Sequence, residues 1–177
     1  MAPKEHSFDC WVDADFAGNW SKDCDPLDVD NVRSRSGYII DYAGVPLIWH
    51  SKLQGEIALS TTEAEFYALS TSLRECIPLM NLVKEFVAEG FFDAIVTPTV
   101  HCRVFEDNSG ALEMAKNPKY RPRTKHIATK HHHFRLYVEC GDVTILPIST
   151  VDQWADSLTK ATSVELFEAH QKANQGW

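Results

Sequence analysis

From Phe8 to Asp13 the chain alternates Phe8, Cys10 and Val12 with Asp9, Trp11 and Asp13, the period of two expected of a half-buried strand. The pattern finishes on carboxylates, so Asp13 is expected at a strand end. Gly18 to Ser36 is polar and turn-rich and reads as a long loop. Gly37 to Asp41 and Val45 to Ser51 then read as a hairpin around Ala43-Gly44. From Thr62 the spacing becomes helical, with Ala64, Ala68, Leu69, Leu73 and Ile77 recurring every three or four positions. Thr62 followed by Glu65 matches a capping box that would start this helix. Pro78 should kink it or open a second helix, and Gly90 should stop it. Val100 to Phe105 predicts a strand running into Glu106-Asp107-Asn108. Ala111 to Lys116 predicts a helix that halts before Asn117-Pro118. A basic loop follows, then a helix over about Ile127 to Glu139, a strand Val143 to Leu146 and a last helix from about Asp152. This order predicts an α/β fold with an antiparallel start and later helical crossovers.

Composition bounds what such a fold can be. The 177 residues suit one domain, 1–177, and 44% apolar residues are enough for an ordinary core. No apolar run approaches the roughly 20 residues that span a bilayer, so no membrane partner is expected. Met1 to His6 lacks the pattern of a secretory signal. Cys10, Cys24, Cys76, Cys102 and Cys140 are scattered, odd in number and without a CxxC pair, which fits free thiols in a reducing compartment better than disulfides or zinc.

The formal charge of −8 is unfavourable for a polyphosphate ligand, yet the charges are segregated. Asp13, Asp15, Asp23, Asp25, Asp28 and Asp30 crowd the start of the chain. Lys116, Lys119, Arg121, Arg123, Lys125, Lys130 and His131 to His133 crowd one later stretch. An acidic pole and a basic pole are therefore expected.

Several carboxylates fall where a strand ends or a helix begins: Asp13, Glu65 with Glu63 beside it, Asp107, and Asp156 in the first turns of the last helix. Carboxylates brought together repel one another, and hard divalent ions with oxygen ligands, Mg²⁺ or Mn²⁺, relieve that repulsion. Two such ions about 3.5–4 Å apart suit phosphodiester hydrolysis. Any one of the 25 acidic residues taken alone is more often a surface charge or a cap.

Read together, VDADFAGNW (Val12 to Trp20), RSRSGYII (Arg33 to Ile40), WHSKLQ (Trp49 to Gln54), ALSTTEAEFYALS (Ala58 to Ser70), VFEDNSGAL (Val104 to Leu112), RTKHI (Arg123 to Ile127) and DQWADSLTK (Asp152 to Lys160) resemble, in order and spacing, the ribonuclease H region of copia-type retrotransposon reverse transcriptases. The resemblance runs from about Phe8 to Trp177. It implies a ribonuclease H-like fold, a mixed five-stranded sheet with three antiparallel strands first and flanking helices. It also implies an endonuclease that cuts the RNA strand of RNA/DNA hybrids with two Mg²⁺ ions, for which Mn²⁺ can substitute.

By the same resemblance the metal-binding and catalytic set is Asp13, Glu65, Asp107 and Asp156. Asp13 would bridge both ions, Glu65 and Asp107 would hold the ion near the leaving group, and Asp156 the ion near the attacking water. Asp15 competes with Asp13, and Glu63 with Glu65. His126 and His132 or His133 are candidates for an auxiliary histidine. Arg121, Arg123 and Lys125 are candidate phosphate contacts, and Ser36, Asn108 and Ser109 candidate hydroxyl and ribose contacts. The implied partners are the hybrid and a reverse transcriptase domain preceding this one in a polyprotein. The implied location is intracellular, cytoplasmic in a virus-like particle, with a nuclear stage. Two rivals stay open: a catalytically inactive ribonuclease H-like domain supporting a polymerase, and an integrase-like strand-transfer enzyme.

Overall fold

A computed structural model describes residues 6–25, 27–91, 100–116 and 133–175. The alternation at the start produces β1 (His6–Asp15), which runs two residues beyond Asp13. A loop with a short 3-10 turn at Val29–Asn31 leads to β2 (Arg35–Tyr42), and β3 (Val45–Leu53) follows through Ala43-Gly44. Both turn residues have positive φ, 54° and 80°, as a tight hairpin demands. Next come α1 (Thr61–Ala88), β4 (Val100–Glu106), α2 (Ser109–Lys116), α3 (Arg135–Glu139) and β5 (Val143–Pro147). A 3-10 turn at Thr150–Asp152, the single-turn α4 (Asp156–Thr159) and α5 (Val164–Gln175) complete the chain.

The five strands form one mixed sheet in the order β3-β2-β1-β4-β5. Strands β1 to β3 pair antiparallel, whereas β4 and β5 run parallel to β1. One face carries Phe8, Cys10, Val12, Tyr38, Ile40, Cys102 and Val104 against Ala64, Phe66, Leu69, Leu73 and Met80 of α1. The other face carries Trp11 and Ile39 beneath Ala155, with Phe105, Trp154 and Leu158 packed on them.

Three local expectations are corrected. The cap of α1 is Ser60, whose hydroxyl accepts from the Glu63 amide, while Glu63 Oε2 accepts from the Leu59 amide at 2.8 Å. The Thr62–Glu65 box is therefore displaced by two residues, and Glu65 is left on the buried face of the helix. Pro78 neither breaks α1 nor starts another helix. It lies on the exposed face, where water can reach the carbonyl its ring leaves unpaired. Gly90, at φ 74°, ends the helix as expected. The helix expected from Asp152 is broken into the 3-10 turn, α4 and α5, because Gln153 and Lys160 adopt extended backbone at φ −80°, ψ 93° and φ −138°, ψ 160°. The first part of the helix expected over Ile127 to Glu139 lies outside the described residues, and its end is α3.

Candidate metal centre

Register brings the first two carboxylates together. Trp11 pairs with Phe105 in the last rung of the parallel β1–β4 ladder, so Asp13 and Asp107, each two residues further on, emerge side by side just past that ladder. On the opposite face the alternation Val100, Cys102, Val104 continues into Glu106, which is fully buried. Glu65, 4% exposed, approaches the same place from the buried side of α1.

The last carboxylate is positioned by DQWAD. Gln153 Nε2 donates to the carbonyls of Val12 (2.8 Å) and Phe105 (3.3 Å), tying the two strand ends together. Trp154 stacks on Trp11 with centroids 4.0 Å apart. Ala155 is completely buried, and Asp156 then begins α4 at the strand ends. Gly37 of β2 makes room: a Cβ there would stand 2.7 Å from Thr159 Cγ2 and 2.9 Å from Leu158 Cβ.

Two triplets result. Asp13, Asp107 and Asp156 each offer an oxygen within 4.8 Å of the others, and so do Glu65, Glu106 and Asp107. Asp107, rather than Asp13, is the carboxylate common to both. Its Oδ2 also accepts from Thr150 Oγ1 at 3.0 Å. Thr159 donates its hydroxyl to Asp13 Oδ2, and the Lys160 ammonium lies 2.9 Å from Asp156 Oδ1 and 3.9 Å from Asp13 Oδ1.

The electrostatics follow from crowding and burial. Desolvation, opposed by the Thr159 hydrogen bond and reinforced by Asp156, lifts Asp13 to about 6. Desolvation and then the Glu106 charge lift Glu65 to about 11. Burial likewise pushes Glu106 far above the carboxylate range, against the Asn108 amide that its Oε1 accepts at 3.0 Å. Burial pulls the Lys160 ammonium down, but Asp156 and Asp13 together outweigh it and raise the net value. Glu65 Oε2 and Glu106 Oε2 are buried with no hydrogen-bond partner. Buried carboxylate oxygens without a donor are what a hard cation would satisfy, so these residues fit Mg²⁺ or Mn²⁺.

The four expected ligands thus converge, and their competitors stand elsewhere. Asp15 belongs to neither triplet, and Glu63 is occupied at the α1 cap. Ser36 is corrected outright: it is not in the loop but in β2, 2% exposed, with its hydroxyl accepting from Gln54 Nε2 at 2.9 Å, and no ribose can reach it. The Asn108 side chain accepts from the Gly110 and Ala111 amides and so serves as the N-cap of α2, whereas Ser109 is exposed beside Asp107. Arg121, Arg123, Lys125, His126 and His132 lie outside the described residues. Sequence reading missed Glu106, Thr159 and Lys160. Glu106 was visible as a charge at an inward position of a strand, and Thr159 and Lys160 as the residues three and four after Asp156, on its side of a helical turn.

No family model matches the chain. The Retrovirus-related Pol polyprotein from transposon TNT 1-94 of Nicotiana tabacum is 36% identical over 158 residues, covering 89% of this chain and 10% of that polyprotein. The chain thus spans about a tenth of the length of this and two further Pol polyproteins it matches. Among solved structures, RNase H1 from Halobacterium salinarum superposes with a TM-score of 0.51 at 14% identity, over 86% of this chain and 94% of that one. LC11-RNase H1 in complex with RNA/DNA hybrid gives 0.52 at 15% identity, over 86% and 93% of the two chains.

Proposed function

We propose that this chain, which belongs to the ribonuclease H domains of copia-type retrotransposon Pol polyproteins, is an active endonuclease that hydrolyses the RNA strand of RNA/DNA hybrids. The observation that carries the reading is the convergence of Asp13 from β1, Glu65 from α1, Asp107 from the turn after β4 and Asp156 from α4 on one end of the sheet. A domain kept only to support a polymerase would have no need to hold these acids together in a partly desolvated site.

In this reading Asp13, Asp107 and Asp156 hold one divalent ion, and Glu65 with Asp107 a second. Bound there, such ions supply a Lewis acid that activates water and stabilises the departing oxygen. The chain's own residues fix the geometry. Gln153 sets the spacing of the two strand ends, Thr159 orients the Asp13 carboxylate, and Trp154 anchors the turn that presents Asp156. Their rigidity matters because misplacement of a reacting group by about 1 Å can cost on the order of a hundredfold in rate.

Strand choice follows from chemistry beside the acids. Ser109, exposed two residues after Asp107, would meet a ribose 2′-hydroxyl, the group that distinguishes RNA from DNA in the minor groove. Arg121, Arg123 and Lys125 would supply phosphate contacts, and the polymerase segment of the polyprotein most of the affinity. The test uses hybrids labelled on one strand or the other, with single-stranded RNA and duplex DNA as controls. Mg²⁺-dependent cleavage confined to the RNA strand of the hybrid is expected, and cleavage of duplex DNA at a similar rate would favour a strand-transfer type of nuclease instead.

A further inference from the structure

We propose that Glu106 is a fifth metal ligand, and that Glu65, Glu106 and Asp107 form an ion site that fills independently of Asp156. This rests on the functional reading above and adds to it a residue outside the four-acid set.

Glu106 has no other evident reason to be an acid. It occupies an inward position of β4, in line with Val100, Cys102 and Val104, where an apolar side chain would complete the core. One oxygen accepts the Asn108 amide at 3.0 Å and helps shape the turn into α2. A glutamine would do the same. The other oxygen, Oε2, is buried without a donor, as is Oε2 of Glu65. Both glutamates place an oxygen within 4.8 Å of the other and of Asp107. Three oxygen donors at one point, two of them on fully or nearly fully buried side chains, match the coordination a small hard cation prefers.

The two triplets differ in what an entering ion must displace. The Asp13/Asp107/Asp156 triplet already contains a cation, since the Lys160 ammonium lies within 4 Å of two of its members. Among the described residues no ion pair reaches Glu65 or Glu106. A divalent ion entering the glutamate triplet displaces no ammonium, only the protons that burial holds on Glu65 and Glu106, whereas one entering the other competes with Lys160. The glutamate triplet should therefore fill independently of the other, with release of protons and without nucleic acid.

The test titrates the full chain with Mn²⁺ alone, reading free ion by electron paramagnetic resonance. The wild type should bind one ion tightly, E106Q should bind it at least about tenfold more weakly, and D156N should bind it within about threefold of the wild type. Thermal unfolding in EDTA supplies a readout that a structural role would move the other way: E106Q should be no less stable than the wild type, because the amide keeps the Asn108 bond and removes an acid whose ionised form burial disfavours. Should E106Q not fold, E106D, whose carboxylate is one methylene shorter, is expected to weaken the same ion. E106Q binding like the wild type, or D156N losing the tight ion to the same degree, would overturn the assignment while leaving the nuclease reading intact. A wild-type chain that binds no Mn²⁺ at millimolar concentration would overturn both.

Discussion

Replacing Glu65 by glutamine should make the ion-free protein more stable even as it destroys function. Glu65 is 4% exposed, and burial with the neighbouring Glu106 raises its carboxyl to about 11, so at pH 7 without metal it is protonated in the fold and ionised in the unfolded chain. A folded-state value above the unfolded one means that the full contribution to stability is present only below the unfolded value, near 4.5, and drains away as pH rises toward 11. At pH 7 the loss spans roughly 2.5 pH units at about 1.4 kcal/mol each, a ceiling of about 3.5 kcal/mol. Glutamine is neutral at every pH, has the same shape and can still accept the Ala14 backbone bond that Glu65 receives. Glu65→Gln should therefore raise stability in EDTA at pH 7 by up to about 3.5 kcal/mol, or roughly 7–14 °C in Tm for a chain of this size. The gap should nearly vanish at pH 4.5. It should also narrow at pH 7 in saturating Mg²⁺, which stabilises the wild type by occupying a site the variant has damaged. Urea and thermal unfolding of both proteins under the three conditions measure this. A variant less stable than the wild type at pH 7 in EDTA, or a gap unchanged at pH 4.5, would refute the reasoning.

Glu63→Gln should leave hybrid cleavage near normal and keep the cap, whereas Glu63→Ala should cost about 1 kcal/mol in urea unfolding with no effect on metal binding. Lys160→Met should lower stability in EDTA by about 1–2 kcal/mol, a figure discounted because the ammonium is 40% exposed, and Mg²⁺ should restore most of it by replacing the lost cation. Gly37→Ala should cost about 1–3 kcal/mol, since its methyl would press on Thr159 and Leu158. Cleavage should fall with it as α4 shifts Asp156, which comparison of kcat with unfolding free energy would separate.

The parts of this molecule legible in its sequence are those where one local rule acts alone. Alternation located β1, a short apolar run located β4, Ala43-Gly44 marked the hairpin, and Gly90 the end of α1. The cap of α1 was misread because Ser60–Glu63 and Thr62–Glu65 carry the same spacing, and only packing decides which glutamate faces the core. Pro78 stayed inside α1 because tertiary burial of one face outweighs a single missing bond on the other. The continuous helix expected after Asp152 failed for a tertiary reason as well: Gln153 leaves helical geometry to reach the carbonyls of β1 and β4. Ser36 was assigned to the loop since a polar residue between Arg35 and Gly37 gives no sign of the Gln54 partner 18 positions away. The motif resemblance supplied the four acids but could not supply Glu106, which is read from strand parity, or Lys160, whose role depends on the turn of α4.

The central claim is that the acids at the sheet end, loaded with divalent ions, cut RNA in a hybrid, and its most direct test is a time course of the full chain and its Asp107→Asn variant on hybrid with labelled RNA, in Mg²⁺ and in EDTA. Asp107 is the carboxylate shared by both triplets, so its loss should weaken both ion positions at once. Cleavage by the wild type is expected only with Mg²⁺, with a fall of several orders of magnitude in the folded variant. Equal cleavage by the two proteins in Mg²⁺, or wild-type cleavage that persists in EDTA, would contradict it.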